Sequence, residues 1–589
     1  MTVAIDGSAP DQRAEAAGKR AALLRTRLQQ RQAPSGHQAI AQAFLSAGIT
    51  HVYALPGNPM YATLGACAES GLQVIGCRSQ SGALSAALAH NYRCGAFRAV
   101  ALCSPAPGVT NSITGLSDAR GNHWPMVLIT ALMGNAPDEG PGENGEPGPD
   151  TDAHAAGPQA NFQDLDGAEI AAASCKAVVR LTARDGLAAG ILQAVQLAQS
   201  VPCGPVFVEV RAGLLNLRQT DVTPVPLPAA PAQCALPPDP AVVAGVAAAQ
   251  KPLLVLGEGL RWSRPLTPDK TRRLQAQVDR LQLPVLASPM GRGLLPDRHP
   301  RSTFMAKEKG LGNCDHLLLC GADLDWRFGG QFPHSAQARI DRILPDIDVL
   351  LALLDAVPET APSSVVHRSA WAADLTQNHL SALARLGRQA DPGSAAMQMN
   401  RLCAALGRWL PEESLSIIDS GLGLAAGHLL WPVQQPFSRM TLGQNGTIGL
   451  GIPFALGSAM AQQDQDADRA VVALVGDVGF GLSSSELETA RRHGARLVVV
   501  VADNGGINGR AFQDNWFPGE GSPDVLRYHQ QVDYAAIARG WGARAEVTPT
   551  PQALRQALGS ALVAEGPTVI SVPMAECFPQ GQTEEQEDG

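Results

Sequence analysis

The chain has 589 residues, too many for one hydrophobic core and suited to three or four domains. Its 45% hydrophobic and 17% charged residues mark it as globular and exclude a disordered chain. A net charge of −9 and an isoelectric point near 5.8 leave no electrostatic footprint for nucleic acid or an anionic membrane surface.

Residues 1–36 form a polar extension. An Arg-, Gln- and Ala-rich helix is expected over 14–31, broken at Pro34-Ser-Gly. A solvated or oligomer-contacting helix is the simplest reading. Residues 38–202 then alternate helix and strand. Helices are expected over 38–47, 61–70 and 82–91, and strands over 52–55, 73–77, 99–103 and 126–130. This doubly wound pattern gives a first domain over 37–222. Within it, the acidic Gly/Pro-rich stretch 134–157 has no periodicity and predicts a flexible loop or lid. A Pro/Ala-rich linker occupies 223–240. A second α/β domain is expected over 241–372, with strands at 253–256, 285–287, 316–320 and 349–353, and a third over 396–575. The tail 576–589 is acidic and predicts disorder. The expected fold class is therefore α/β, with three tandem doubly wound parallel-sheet domains. Eleven cysteines are scattered with no C-x-x-C pair and no metal-ligand spacing, as in a reduced cytosolic protein. No run reaches transmembrane length and the N-terminus lacks an apolar signal core, so a cytoplasmic location without membrane or nucleic-acid partners is expected.

The third domain carries the sharpest chemical signal. Val472-Ala-Leu-Val-Gly476-Asp477-Val478 ends an apolar strand in a carboxylate, and a helix-like segment follows over 483–493. A second strand over 496–502 delivers Asn504 into Gly505-Gly506-Ile507, 27 residues after Asp477. Such a βαβ unit sets a carboxylate and an amide oxygen at the carboxyl ends of two parallel strands, beside a helix N-terminus. Hard oxygen ligands suit Mg²⁺, and a helix N-terminus suits a diphosphate. Asp477, Asn504 and the Gly506 carbonyl are the candidate metal ligands. Gly-Asp and Asn-Gly are also common turn dipeptides, so an ordinary βαβ unit stays open on these residues alone.

This unit resembles the G-D-G…N-N signature of thiamine diphosphate (ThDP) enzymes. It departs at Val478, for the last Gly, and at Asp503, for the first Asn. Other stretches extend the likeness to the acetolactate synthase-type superfamily. They are Gly36-His-Gln-Ala-Ile, the run from Ala47 to Pro56-Gly57-Asn, Ser104-Pro-Ala-Pro-Gly108-Val-Thr-Asn111, Asn161-Phe162-Gln163-Asp164 and Gly446-Thr-Ile448-Gly-Leu-Gly451-Ile-Pro453. With Val255-Leu-Gly-Glu-Gly259, Gly291-Arg-Gly-Leu-Leu-Pro296, Gly321-Ala-Asp-Leu-Asp-Trp326 and Glu486-Leu-Glu488-Thr, the chain is similar to the oxalyl-CoA decarboxylase and 2-hydroxyacyl-CoA lyase branch over roughly 37–575.

The resemblance implies pyrimidine-binding, central and diphosphate-binding domains, in that order. It implies ThDP and Mg²⁺ as cofactors, a small-molecule substrate, and an active site shared between two subunits of a homodimer or homotetramer. The implied activity is that of a lyase or carboligase, in which a 2-oxo acid or acyl-CoA-type donor adds to the C2 carbanion and passes through an enamine. It implies a cofactor bed of Pro56, Gly57, Gly446, Ile448, Gly476, Asp477, Val478, Asn504, Gly506 and Ile507. Ile448 would wedge the cofactor into a bent form, and the Gly446 carbonyl would accept from its aminopyrimidine. Gln163 matches the F-Q-E segment of acetolactate synthases, and Asn122 and His123 are candidates to face substrate. A lone His is as often structural.

One departure bears directly on chemistry. The family's activating Glu follows an Arg by two residues; here the run is Arg78-Ser79-Gln80, so Gln80 holds the Glu position. An amide bonds the pyrimidine nitrogen but delivers no proton at ordinary pH. Three readings stand open: a route that needs no carboxylate, as in glyoxylate carboligase; a carboxylate removed by design; or a non-catalytic or very slow ThDP-binding protein. In the central domain, Gly257-Glu-Gly259 and Asp346-Ile-Asp348 fall where relatives hold ADP or FAD, and a remnant domain without nucleotide is an equal alternative. A dehydrogenase would need a third Gly where Trp262 stands, and is discounted.

Overall fold

The computed structural model describes residues 34–133, 163, 165–182, 186–218, 237–262, 265–328, 337–358, 362–389, 397–508, 526–528 and 532–575. The helix expected over 14–31, the loop 134–157, nearly all of the linker and the acidic tail lie outside them.

Three parallel sheets follow one another along the chain. The first contains β1 (His51–Ala54), β2 (Gln73–Gly76), β3 (Ala99–Leu102), β4 (Met126–Leu132), β5 (Ala177–Leu181) and β6 (Pro205–Arg211), in the order β2-β1-β3-β4-β6-β5. The second contains β7 (Pro252–Leu256), β8 (Val285–Ala287), β9 (His316–Cys320) and β10 (Arg339–Ile343), in the order β10-β9-β7-β8. The third contains β11 (Leu415–Asp419), β12 (Arg439–Thr441), β13 (Val471–Gly476), β14 (Leu497–Asp503), β15 (Arg544–Val547) and β16 (Pro567–Pro573), in the order β12-β11-β13-β14-β16-β15. The central strands are nearly unbroken apolar runs, as sheets covered on both faces require. The expected α/β class with three doubly wound sheets is what the chain adopts.

The strand expected at 349–353 is an error. Ile347–Ala356 is a helix, capped by the Asp346 side chain on the Asp348 N–H. Ile347, Leu350, Leu351 and Leu354 are buried at helical spacing, and a short apolar run alone does not separate the two periods. The true fourth strand, β10, was missed because its sequence is Arg-Ile-Asp-Arg-Ile at a sheet edge, exposed or half-exposed throughout. The helix expected over 483–493 in the metal unit starts earlier. It forms as two segments, Asp477–Ser483 and Glu486–Arg492.

The first and third domains meet through two helices buried almost all round, Gln80–Cys94 and Gly451–Asp464. Small residues permit a very close crossing. A Cβ added at Gly457 would sit 1.9 Å from the Ala86 carbonyl oxygen. Arg93 crosses the same contact and donates to Ser458 Oγ at 3.1 Å and to the Phe437 carbonyl at 2.5 Å. Glu486, fully buried, ties the start of the first helix to the third domain. Its carboxylate accepts from the backbone N–H groups of Arg78 and Ser79 at 3.1 and 3.0 Å, and from Thr489 Oγ1 at 2.9 Å.

Gly457→Ala gains helix propensity of about 1 kcal/mol but drives a methyl into backbone, where overpacking costs about 1–3 kcal/mol or more. The unfolding midpoint should fall. An unchanged or raised midpoint by calorimetry would contradict the close crossing.

Candidate active site

In the third sheet the chain runs outward from β11 to β12, then crosses back to β13. The crevice at the carboxyl ends of β11 and β13 is thus the topological switch point, where open α/β sheets bind ligands. Three helices begin there, at Gly421, Gly451 and Asp477. Asp419 lies between them, 1% exposed, and accepts from the Gly449 and Gly451 N–H groups at 3.1 and 2.7 Å. Burial pushes its carboxyl up to about 6 against those hydrogen bonds.

Asp477, Asn504 and Gly506 come together beside it. Asp477 Oδ1 accepts from the Val478 N–H and Oδ2 from the Gly506 N–H, both at 2.8 Å. Directed inward, the Asn504 amide oxygen lies 3.0 Å from Asp477 Oδ2 and 2.7 Å from the Gly506 carbonyl oxygen. Three acceptors then face one another. Turned over, the amide would donate to both oxygens, which satisfies the protein alone. The inward arrangement suits a cation instead, because an octahedral ion with bonds of about 2.1 Å holds neighbouring oxygens about 3 Å apart. Burial raises the Asp477 carboxyl to about 6, and a bound cation would oppose that shift. Gly506 has φ +150°, and a Cβ there would lie 2.0 Å from the Leu526 carbonyl oxygen, so no side chain fits. Ile507 continues the strap by donating to the same carbonyl at 2.8 Å.

Gly446 and Ile448 lie on the loop between β12 and the Gly451 helix. Ile448 is 44% exposed, and its neighbour Gly449 abuts Leu482, itself 62% exposed. The loop is anchored from the first domain. Asp118, buried, accepts from Thr447 Oγ1 at 2.7 Å and Asn445 Nδ2 at 3.3 Å, and burial pushes it up to about 6. Asn122 accepts from the Gln444 N–H at 3.1 Å and donates to the Asp118 carbonyl at 2.9 Å. Its oxygen thus holds the loop while its nitrogen is fixed to its own segment. The central domain reaches the same place: the Trp326 indole donates to the Gln444 carbonyl, and its ring lies 3.8 Å from a Cβ built at Gly446.

The other candidates fall at several points. Pro56 and Gly57 follow β1 at the switch point of the first sheet, where a Cβ on Gly57 would meet Ser104 at 2.8 Å. Gln80 is buried at its helix N-terminus, and its Oε1 accepts from Asn111 Nδ2 at 3.2 Å. Gln163 has φ +58°, and its buried Oε1 takes no hydrogen bond among the described residues. Asn161, Phe162 and Asp164 lie outside them. His123 is half-exposed with φ +54°, and its Nε2 lies 3.1 Å from Asp323 Oδ2 of the central domain. It lines a cavity of about 230 Å³ with Glu258, Gly259, Trp262, Asp323 and Arg342.

Sequence reasoning passed over Asp419, Asp118, Glu486 and Trp326 as working residues. A signal existed for Asp419, which ends an apolar strand as Asp477 nearly does. The roles of Asp118 and Trp326 depend on contacts between domains and left none.

Comparison with known proteins gives the family. Residues 34–154 match the N-terminal TPP binding domain of thiamine pyrophosphate enzymes, 241–349 the central domain, and 392–572 the C-terminal TPP binding domain. The chain belongs to the thiamine pyrophosphate enzyme family. It is similar to 2-hydroxyacyl-CoA lyase of Oryza sativa subsp. japonica, 24% identical over 91% of this chain and 95% of the relative. It is also similar to oxalyl-CoA decarboxylase of Escherichia coli (strain K12), 25% identical over 92% and 95%. A probable acetolactate synthase of Mycobacterium bovis is 26% identical over 90% and 94%. A solved structure from Mycobacterium smegmatis, assigned provisionally to the thiamin diphosphate-dependent enzymes, shares the fold with a TM-score of 0.73 at 21% identity, covering 92% of this chain and 100% of that one. Among the described residues no helix is long and apolar enough to cross a membrane.

The hydrogen bond to Asp323 raises the His123 pKa above 6.5 against its burial, and holds Asp323 at about 2. The ion pair is complete from above that value up to the raised His123 value. His123 contributes stability that is fully present below 6.5 and lost as pH rises through its folded pKa. Asp323→Asn should therefore return the His123 titration toward 6.5, read by NMR of the imidazole. An unmoved titration would show that the contact does not form.

Proposed function

We propose that this protein is a ThDP- and Mg²⁺-dependent lyase or carboligase acting on a 2-oxo acid or acyl-CoA-type donor. The observation that carries the reading is the oxygen cluster of Asp477, Asn504 and Gly506 at the switch point. These three would hold Mg²⁺, with Gly476 and Val478 flanking the diphosphate and Gly446 and Ile448 bedding the pyrimidine end. When bound, the cofactor supplies a nucleophilic carbon and an electron sink; the protein orients it and excludes water. Exposed Ile448 and Leu482 support a site closed by a second copy of the chain, whose Pro56, Gly57 and Gln80 would face the cofactor.

Asp477→Ala should abolish ThDP binding in calorimetric titrations with Mg²⁺, while the unaltered protein binds only with the metal. The same samples should scatter light as dimers or dimers of dimers. Retained affinity in the variant would remove the metal assignment, and a monomer that binds ThDP tightly would remove the shared site.

A cavity of about 680 Å³ between the second and third domains favours the acyl-CoA donor. Its lining includes Lys307, Arg385 and Arg388, with Glu308 among them and with Arg292 and Arg327 paired to buried carboxylates; the three outer cations suit phosphate groups. Arg385→Glu should raise KM for a coenzyme A thioester at least tenfold and leave KM for a 2-oxo acid unchanged. Equal effects on both donors would separate the cavity from donor choice.

Gln80 favours a second reading, a very slow or non-catalytic ThDP-binding protein. An amide in place of a carboxyl withholds a proton, and acid–base groups contribute about 10²–10⁴-fold. Gln80→Glu should speed C2 hydrogen–deuterium exchange of bound ThDP, read by quenched-flow NMR. Equal rates would mean that another group activates the cofactor, with His123 the first to replace. No exchange and no turnover in either form would establish the second reading.

A further inference from the structure

A three-residue set of metal-binding character lies where the first and third domains cross, on residues the cofactor cleft does not use. His51 opens β1, His90 lies on the Gln80–Cys94 helix, and Asp464 ends the Gly451–Asp464 helix. The two histidines are 4% and 0% exposed, and their ring centroids are 4.3 Å apart. One ligand atom from each of the three residues lies within 4.8 Å of the other two.

The hydrogen bonding is that of a site short of one partner. His90 Nε2 is buried without a hydrogen bond among the described residues, 3.7 Å from Asp464 Oδ2. Its other nitrogen, Nδ1, lies 3.0 Å from the buried Tyr53 hydroxyl. His51 Nδ1 lies 2.9 Å from Thr50 Oγ1, and its Nε2 takes no hydrogen bond among the described residues. Each imidazole is thus oriented through one nitrogen and offers the other, the arrangement that outer partners impose on metal-bound histidine. Burial lowers both pKa values, His51 to about 4, so both rings carry a lone pair at neutral pH.

We propose that His51, His90 and Asp464 bind one divalent transition ion of the zinc type, which clamps the N-terminal domain to the C-terminal domain. Two imidazoles and a carboxylate are borderline donors that suit Zn²⁺ better than Mg²⁺. Tetrahedral bonds of about 2.0–2.1 Å set ligand atoms about 3.3 Å apart, so the set must contract by about 1.5 Å. Asp464, exposed at its helix end and already 3.7 Å from His90 Nε2, supplies the entry path and part of that movement, the His51 ring must close the rest, and water completes the coordination. Among the described residues, Arg98 and His493 face the cluster and oppose a cation, while Asp464 is its single carboxylate.

The test uses the full-length protein in saturating Mg²⁺, which occupies the Asp477 site, with Zn²⁺ and Co²⁺ alone as probes. One equivalent of Zn²⁺ should bind by calorimetry, and Co²⁺ should develop the intense visible bands of tetrahedral coordination. Asp464→Asn alters an exposed residue and should weaken Zn²⁺ at least tenfold without changing the circular dichroism. His90→Gln should abolish the tetrahedral Co²⁺ bands. Asp477→Ala should leave both readouts intact, which separates this site from the cofactor metal and from the proposed function. Absence of Zn²⁺ binding, octahedral Co²⁺ only, or an Asp464→Asn isotherm equal to that of the unaltered protein would each overturn the proposal.

Discussion

The crossing of the Gln80–Cys94 and Gly451–Asp464 helices sets the geometry of everything around it. Ala86 and Gly457 let the two backbones approach to a distance at which even one methyl has no room. That closeness brings the end of the first domain's 113–122 segment against the loop between β12 and the Gly451 helix. Asp118 and Asn122 then hold Gln444, Asn445 and Thr447 in place. Neither domain builds this bed alone. The third domain supplies the loop and the first supplies the groups that fix it, so the site's shape depends on interdomain packing.

The second domain contributes a clamp made of buried charge. Arg327 donates to Asp325 and Glu258 and reaches Asn122 at 3.5 Å, while its neighbour Trp326 touches the Gln444 carbonyl. A buried pair of this kind adds little net stability, because desolvation offsets the attraction. Its value is positional. Breaking it would leave a charge buried without its partner, so the 321–328 segment has one favourable seat.

Four carboxyl groups around the domain contacts share one electrostatic character. Asp118, Asp419, Asp477 and Glu486 are all pushed upward in pKa, each first by burial. Backbone N–H donors oppose the shift at Asp419, Asp477 and Glu486, and side-chain donors oppose it at Asp118. Asp419 stabilises a turn, Glu486 a helix start and Asp118 a loop. Asp477 differs because the Asn504 amide lies against both its Oδ2 and the Gly506 carbonyl, and with the amide oxygen turned inward three acceptors would meet there. That orientation would suit a cation, whereas the reverse one satisfies the protein alone.

Much of this was legible in the sequence because it is local. Apolar runs at strand length, turn glycines and the 27-residue interval between Asp477 and Asn504 are properties of short stretches, and parallel strands carry such an interval to one end of a sheet. Three doubly wound sheets follow from that alternation. Where local signals were ambiguous the reading failed: the leucine run at 350–354 fits both periods, and the polar edge strand β10 lacks the apolar pattern of a buried one. Tertiary structure alone decided that Asp118 and Asn122 grip a loop more than 300 residues away, that His123 pairs with Asp323, and that His51, His90 and Asp464 share one corner. Those contacts join residues far apart in the chain. Their energy comes from desolvation and close approach, which exist only after the domains have packed.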